Sequence, residues 1–481
     1  MIKGDEKMYN AYITRLKNLH KHPNADRLQI GECFGNAVVV SMEYEDNQLG
    51  VYFPSDGQLS VEFAEANNLL RKKDENGNNI GGYMDPDKRN VTAIRLRGEK
   101  SDGLFLPINS LESFGDISTL KEGDRIDNFN GHEICCKYIP RTQNRRGHYS
   151  DGNKTRKKKV AVAPLFAEHA DTEQLAYNLG VFKPGDEIEI TLKMHGTSQR
   201  TGYLPTLKGY KRTIWDKIFR KEGTPIYDWG YVSGTRRVVL DDYEGGYYGS
   251  NEFRETHSKV FEGKLMKGET VYYEVVGFTH TGAPIMGNGN NEKVGKDFVK
   301  QYGKETVFSY GCDPTGKKKI YGKDNDGVFF IETDVPKSDI YVYRMTITNE
   351  DGFVIEYTPD FMRYRCEQMG VKTVPVFAKG TVDCEGVHIY SPNEELYGFT
   401  HETENVGDTV KQVAEKFYAG PDPIGKTHTR EGVVVRIINR PKFCAYKHKN
   451  FEFKVLEGII KDTSDAPDME EAQSIINNDA E

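Results

Sequence analysis

The chain has 481 residues, of which 37% are hydrophobic and 29% charged, a length for two to four folding units and the composition of a globular protein. No run nears the roughly 20 uninterrupted apolar residues of a membrane span, and residues 1–17 carry no apolar leader, so a protein of the reducing cytoplasm is expected; seven cysteines without a C-x-x-C pair argue against a disulfide framework or zinc ribbon. The net charge of −8 conceals nine basic residues against one acid between Lys137 and Val160, a local cationic stretch suited to phosphate.

In chain order, residues 11–19, 37–42, 50–53, 91–96 and 104–108 read as short strands between Gly, Asn and Asp clusters, which predicts a small β-barrel over residues 1–140. Residues 141–159 have the composition of a linker, basic and interrupted by Gly147, Ser150 and Gly152. Downstream, strands are predicted at 187–193, 271–276, 340–348, 432–438 and 451–456, with helical patterns at 216–221, 360–369 and 410–418. The expected class is therefore α+β, with a mixed α/β domain over 160–461 and an acidic tail over 462–481.

The chemistry concentrates after the strand at 187–193. Lys193-Met194-His195-Gly196 places a lysine at the end of an alternating strand, before a Gly turn that holds its amine at a pocket. A lysine is almost fully protonated at neutral pH, so a nucleophilic one needs desolvation or cationic neighbours. Glu274 sits within the apolar run 271–277, and Glu431 opens Gly432-Val433-Val434-Val435; an unpaired carboxylate there would cost several kcal/mol unless a cation, hydroxyl or metal met it. Lys447 and Lys449, two apart on a strand, face the same way, and Lys454 follows near what reads as a final strand. Two acids and several lysines around Lys193 would form a site for a magnesium nucleoside triphosphate.

This ordered set resembles the motifs of the covalent nucleotidyltransferases, the polynucleotide ligases and capping enzymes. Its K-x-H-G form is similar to RNA ligases, and most closely to the Deinococcus-type RNA ligase family, in which an OB-fold module precedes an adenylyltransferase domain. The resemblance implies an OB-like barrel followed by an ATP-grasp-like ligase domain. It implies that Lys193 attacks the α-phosphorus of ATP, that His195 assists, and that Glu274 and Glu431 hold Mg2+ or Mn2+. It further implies that Arg236, or Arg237 beside it, contacts ribose or phosphate, that Tyr341 or Tyr343 stacks on adenine, and that Lys447 and Lys449, or Lys454, contact the α-phosphate. The activity implied is ATP-dependent sealing of 3′-hydroxyl and 5′-phosphate RNA ends through a lysyl-AMP intermediate, by a monomer acting in RNA repair on a nicked duplex, an RNA–DNA hybrid or a broken tRNA. A capping guanylyltransferase and a non-catalytic RNA-binding protein are the alternatives. In the barrel, residues 22–28 and 97–104 look like OB-type tRNA-binding modules. Residues 311–318 nearly match a phosphate-binding loop, but Lys318 stands where a magnesium-binding Ser or Thr is required, and a turn is expected. The glycines of 287–291 lack the spacing of a dinucleotide fingerprint.

Overall fold

A computed structural model describes residues 9–139 and 161–463, apart from 74, 76–78, 171, 220–222, 241–242, 244–247, 249, 325–326, 391–395 and 404. The basic stretch expected at 141–159 and the acidic tail beyond residue 463 lie outside the described residues. Two compact units are present: residues 9–139, 290–301 and 451–463 form one, and 161–289 with 302–450 form the other. The units are thus discontinuous in sequence, and 290–301 and 451–463 pack with the N-terminal segment rather than with the rest of the stretch 160–461.

The first unit is strand-rich. Leu104–Pro107, Leu49–Phe53, Ala11–Arg15 and Arg125–Ile126 form a four-stranded sheet, beside three-stranded sheets of Lys17–Lys21, Leu28–Cys33, Asn36–Ser41 and of Cys135–Lys137, Gly57–Leu59, Asn90–Val91. Ile13, Val51, Phe53, Phe63 and Ile126 share its core. Among the described residues these pairings do not close into a barrel. The two loops that drew attention in the sequence meet there: His22 Nε2 lies 3.0 Å from the Leu96 carbonyl, and Asn24 Nδ2 donates to the Arg97 carbonyl at 3.1 Å.

Residues 451–456, expected as a strand, open the helix Phe451–Thr463 instead. Phe451, Phe453 and Val455 alternate like a strand, but Leu456 and Ile460 continue the apolar pattern at helical spacing, and Phe453 and Leu456 are fully buried.

In chain order, the elements that build the second unit's central region are β1 (Glu187–Lys193), β2 (Thr197–Lys211), β3 (Thr224–Gly234), β4 (Glu269–Gly277), β5 (Ser338–Thr348), α1 (Pro359–Met369), α2 (Val406–Glu415), β6 (Gly432–Ile437) and β7 (Cys444–Lys449). Thr358 caps α1 with its hydroxyl on the Phe361 amide, Pro359 opens the helix, and Gly370, at φ +68°, ends it. One seven-stranded sheet contains β7, β6 and β1 as neighbours; a five-stranded sheet runs β3, β2, β4, β5 and Val354–Glu356. Each has one apolar face. Ile188, Ile190, Val433 and Val435 pack against Val410, Val413 and Ala414 of α2, whereas Val271, Tyr273, Val275 and Val342 pack against Met362, Cys366 and Met369 of α1. Because side chains alternate along a strand, Glu189, Thr191 and Lys193 of β1 are left for the opposite face.

Candidate active site

Lys193, Gly432 and Lys449 lie abreast on β1, β6 and β7. Directly opposed residues project to the same side of a sheet, so the two lysines flank a position with no side chain. A Cβ on Gly432 would come within 2.0 Å of the His448 carbonyl oxygen; glycine is what lets β7 close onto β6 here. Glu431, one residue earlier, occupies the gap. Its Oε1 is 2.6 Å from Lys193 Nζ and 3.3 Å from Lys449 Nζ, and its Oε2 is 3.4 Å from His195 Nδ1. Burial works hardest against ionisation of Glu431, yet Lys193, Lys449 and His195 together outweigh it and hold the carboxyl well below its ordinary range. The side chain is 2% exposed, Lys193 22%, so the nucleophile candidate remains reachable while its counter-charge does not. Lys447 falls on the same face as Lys449, opposite Val434.

The second sheet reaches this cluster through Gly196. A Cβ there would stand 2.5 Å from the Val275 carbonyl and 2.8 Å from Glu274 Cγ, so the Gly turn after Lys193 is pressed against β4 at Glu274. Across β2, β4 and β5, Ser198, Glu274 and Tyr341 lie in register. Tyr343 joins them by a 2.9 Å hydrogen bond between its hydroxyl and Ser198 Oγ. A register shift between Tyr272 and Tyr273 alters the pairing of β4 with β5.

Several residues join the site that sequence reading missed. The Tyr310 hydroxyl accepts a hydrogen bond from the His195 amide at 2.8 Å. Burial pushes this phenol well above its ordinary pKa, and the charges of Glu431, Asp422 and Glu274 add to the rise, against the lowering effect of the His195 amide. Tyr310 adopts φ +48°, uncommon for an aromatic residue and of the kind that accumulates at functional sites. His428, fully buried, sets its ring edgewise to Tyr310 and Phe308, and Phe308 in turn meets His195. Asp422 orders the loop before Glu431 by accepting from the amides of Ile424, Gly425 and Thr427. The near phosphate-loop that begins directly after Tyr310 is a turn: Asp313 Oδ1 accepts from the Thr315 amide and hydroxyl, and the chain continues as the strand Lys317–Asp324 rather than a helix.

Arg236 acts on a second cluster, around His169, whose ring centroid lies 5.1 Å from that of Tyr343. Burial foremost, then the positive charges of Arg236, Arg344, Arg200 and Arg436, hold His169 well below its ordinary pKa. Arg200 is bound to the carbonyls of Phe166, Thr235 and, at 3.4 Å, Arg237; Arg344 is paired with Glu356. Lys454 lies on the helix Phe451–Thr463 of the first unit, with Nζ 2.5 Å from Asp102 Oδ2.

Among the described residues no group of three or more His, Cys, Asp or Glu could enclose a metal ion. Glu431 Oε2, however, is buried and accepts no hydrogen bond, an orphaned acceptor of the kind that a ligand completes. One or two carboxylates beside cationic lysines fit a hard divalent ion that keeps waters and shares phosphate oxygens, not a closed protein cage.

No protein-family model and no curated protein matches the chain. No helix among the described residues is long and apolar enough to cross a membrane. Solved structures do match. An RNA ligase of Naegleria gruberi, as a point mutant with ATP and manganese, is 15% identical with a TM-score of 0.51 over 92% of this chain and 98% of that one. Another mutant of it, with AMP and manganese, is 16% identical with a TM-score of 0.51 over 92% and 97%. A third, also with AMP and manganese, gives 16% and 0.50 over the same shares. At this identity the likeness is one of fold: a strand-rich, mixed α/β architecture like that of an RNA ligase, along nearly the whole chain.

Proposed function

We propose that the protein is an ATP-dependent RNA ligase that seals 3′-hydroxyl to 5′-phosphate ends through a lysyl-AMP intermediate. The observation that supports it most is the meeting of Lys193, His195 and Lys449 around the Glu431 carboxylate, beside Glu274, on an RNA-ligase-like fold. In the first transfer Lys193 Nζ, having lost a proton, bonds to the α-phosphorus and the bond to pyrophosphate breaks. In the second, AMP passes to the RNA 5′-phosphate and frees the amine; in the third, the 3′-hydroxyl displaces AMP. Phosphoryl transfer asks the protein mainly for alignment and charge stabilisation. Lys447 and Lys449 neutralise the α-phosphate, Tyr341 and Tyr343 border the base, and Arg236 serves ribose or phosphate. Glu274 and Glu431 would hold magnesium or manganese, which when bound supplies charge neutralisation at the phosphate oxygens. The N-terminal unit is read as an OB-type RNA-binding module, and nicked or broken RNA as the substrate of a monomeric repair enzyme.

Incubation with ATP labelled at the α-phosphate and manganese tests the reading. The chain should acquire a covalent label that Lys193→Ala abolishes and Lys17→Ala does not. A label retained in Lys193→Ala overturns it, and labelling by GTP in preference to ATP points to a capping enzyme.

A further inference from the structure

β2 and β3 form a long hairpin that starts at Thr197, four residues after Lys193, and pairs as far out as Lys211 with Thr224. Fifteen extended residues at about 3.3 Å each take its tip roughly 45 Å from its base. The tip is built to hold a shape. Thr213 Oγ1 and the Thr213 amide both donate to Asp216 Oδ2, at 2.7 and 2.8 Å, and the Asp216 amide donates back to Thr213 Oγ1, a reciprocal cap that opens the short helix Ile214–Ile218. The helix and the residue after it display apolar side chains to solvent. Ile214, Trp215, Ile218 and Phe219 are 75, 68, 61 and 63% exposed, and the Trp215 and Phe219 rings lie nearly parallel, 16° apart with centroids 6.0 Å from one another.

An apolar patch left facing water marks a contact surface, and charge indicates its partner. Residues 208–223 contain six Lys or Arg against two acids, Asp216 and Glu222, and the Asp216 carboxylate is taken up by the cap. Lys208, Lys211 and Arg212 are exposed along the approach to the tip. Aromatic faces for bases, with cations for the backbone, are the composition of a single-strand nucleic-acid contact. Bases in a paired A-form helix are not open to stacking by side chains, whereas unpaired ones are.

We propose that the β2–β3 tip is a second RNA contact, remote from the sealing chemistry, at which Trp215 and Phe219 stack on unpaired bases and Lys208, Lys211 and Arg212 meet the phosphates. It rests on the ligase reading for its choice of RNA over another polyanion. The hairpin thereby favours substrates with unpaired nucleotides several tens of ångströms from the join, such as a looped RNA, over an uninterrupted duplex.

The chain has two tryptophans, Trp215 and Trp229, so full-length Trp229→Phe makes Trp215 the sole indole reporter. Its emission should be quenched saturably by an unstructured 20-nucleotide RNA and far less by a blunt RNA duplex of equal length. In gel shifts with otherwise unaltered protein, Trp215→Ala/Phe219→Ala should weaken single-strand binding at least tenfold. Lys208→Ala/Lys211→Ala/Arg212→Ala should reduce the slope of log affinity against log salt by about 2. Neither set should reduce the covalent AMP label. Four outcomes would overturn the proposal: no quenching by RNA, equal quenching by the duplex, a response only to anionic phospholipid vesicles, or a concentration-dependent dimer in sedimentation that the double substitution abolishes. Absence of any AMP label on the wild-type chain, with RNA quenching intact, would instead remove the ligase reading and leave the RNA contact standing.

Discussion

Replacing Glu431 with Gln takes away the charge on which Lys193 and Lys449 converge while preserving the size of the side chain. Each lysine lies closer than 4 Å to Glu431 Oε1, where the gross attraction at an effective dielectric of about 20 exceeds about 4 kcal/mol. Much of that offsets desolvation, and breaking a buried pair costs a net of about 3–5 kcal/mol. Since Lys193 retains 22% exposure and can turn toward water, the lower end is expected, about 3 kcal/mol. At roughly 2–4 °C per kcal/mol, melting followed by circular dichroism at pH 7 and a fixed scan rate should fall by about 6–12 °C. The pH dependence has a definite sign. The folded carboxyl titrates well below its ordinary value, so its contribution is complete above the unfolded pKa near 4.3 and fades only as pH drops through the folded one. The gap between wild type and Glu431→Gln should therefore stay constant from pH 7 to about pH 5 and narrow in stronger acid. A variant that melts within 1 °C of wild type at pH 7 would refute the idea that this carboxylate ties the two lysines together.

Three further outcomes follow from other contacts. Tyr310→Phe deprives the His195 amide of its acceptor; at about 1–3 kcal/mol for an unsatisfied buried group, AMP labelling should slow about tenfold with little change in the ATP concentration needed for half-maximal rate, and an unchanged rate would show that Tyr310 does not position the turn. Lys454→Met leaves Asp102, 6% exposed, without its cation, so melting of the first unit should lose about 3 kcal/mol, the low end because Ser55 Oγ still donates to that carboxylate, while AMP labelling persists; loss of labelling by a folded variant would make Lys454 one of the lysines that serve the α-phosphate. Burial lowers His257 to about 4, so the unfolded chain binds a proton near pH 6.5 that the folded chain refuses. Stability is then full above that pH and falls by up to about 1.4 kcal/mol per unit between pH 6.5 and about 4, a slope that denaturant titrations should find reduced in His257→Gln.

Much of the lysine sheet was legible because strand alternation and local spacing encode it. Glu187–Lys193 is a strand over the range expected, and Gly432–Ile437 differs from expectation by a single residue at its end. The apolar run after Glu431 pointed to a carboxylate shut off from water, and Glu431 is 2% exposed, whereas Glu274 is the one half-buried residue of an otherwise buried strand. Tyr310 was not legible: it meets the His195 amide across 115 residues of chain, from a loop with neither period nor motif of its own. The long hairpin was equally hidden, since β2 opens with Thr197-Ser198-Gln199-Arg200, polar residues whose burial stems from tertiary partners rather than hydrophobic pattern. At Phe451–Thr463 the local signal was two-valued, and packing decided in favour of the helix.

That helix also sets when the protein can finish folding. Phe453 and Leu456, both fully buried in the unit that begins at the other end of the chain, leave the ribosome hundreds of residues after the strands with which they share that unit. A nascent chain must therefore hold an incomplete apolar surface throughout synthesis, the situation in which chaperones are needed. A protein cut after Asn450 would keep every lysine and acid of the proposed chemistry and still lack a piece of its own beginning.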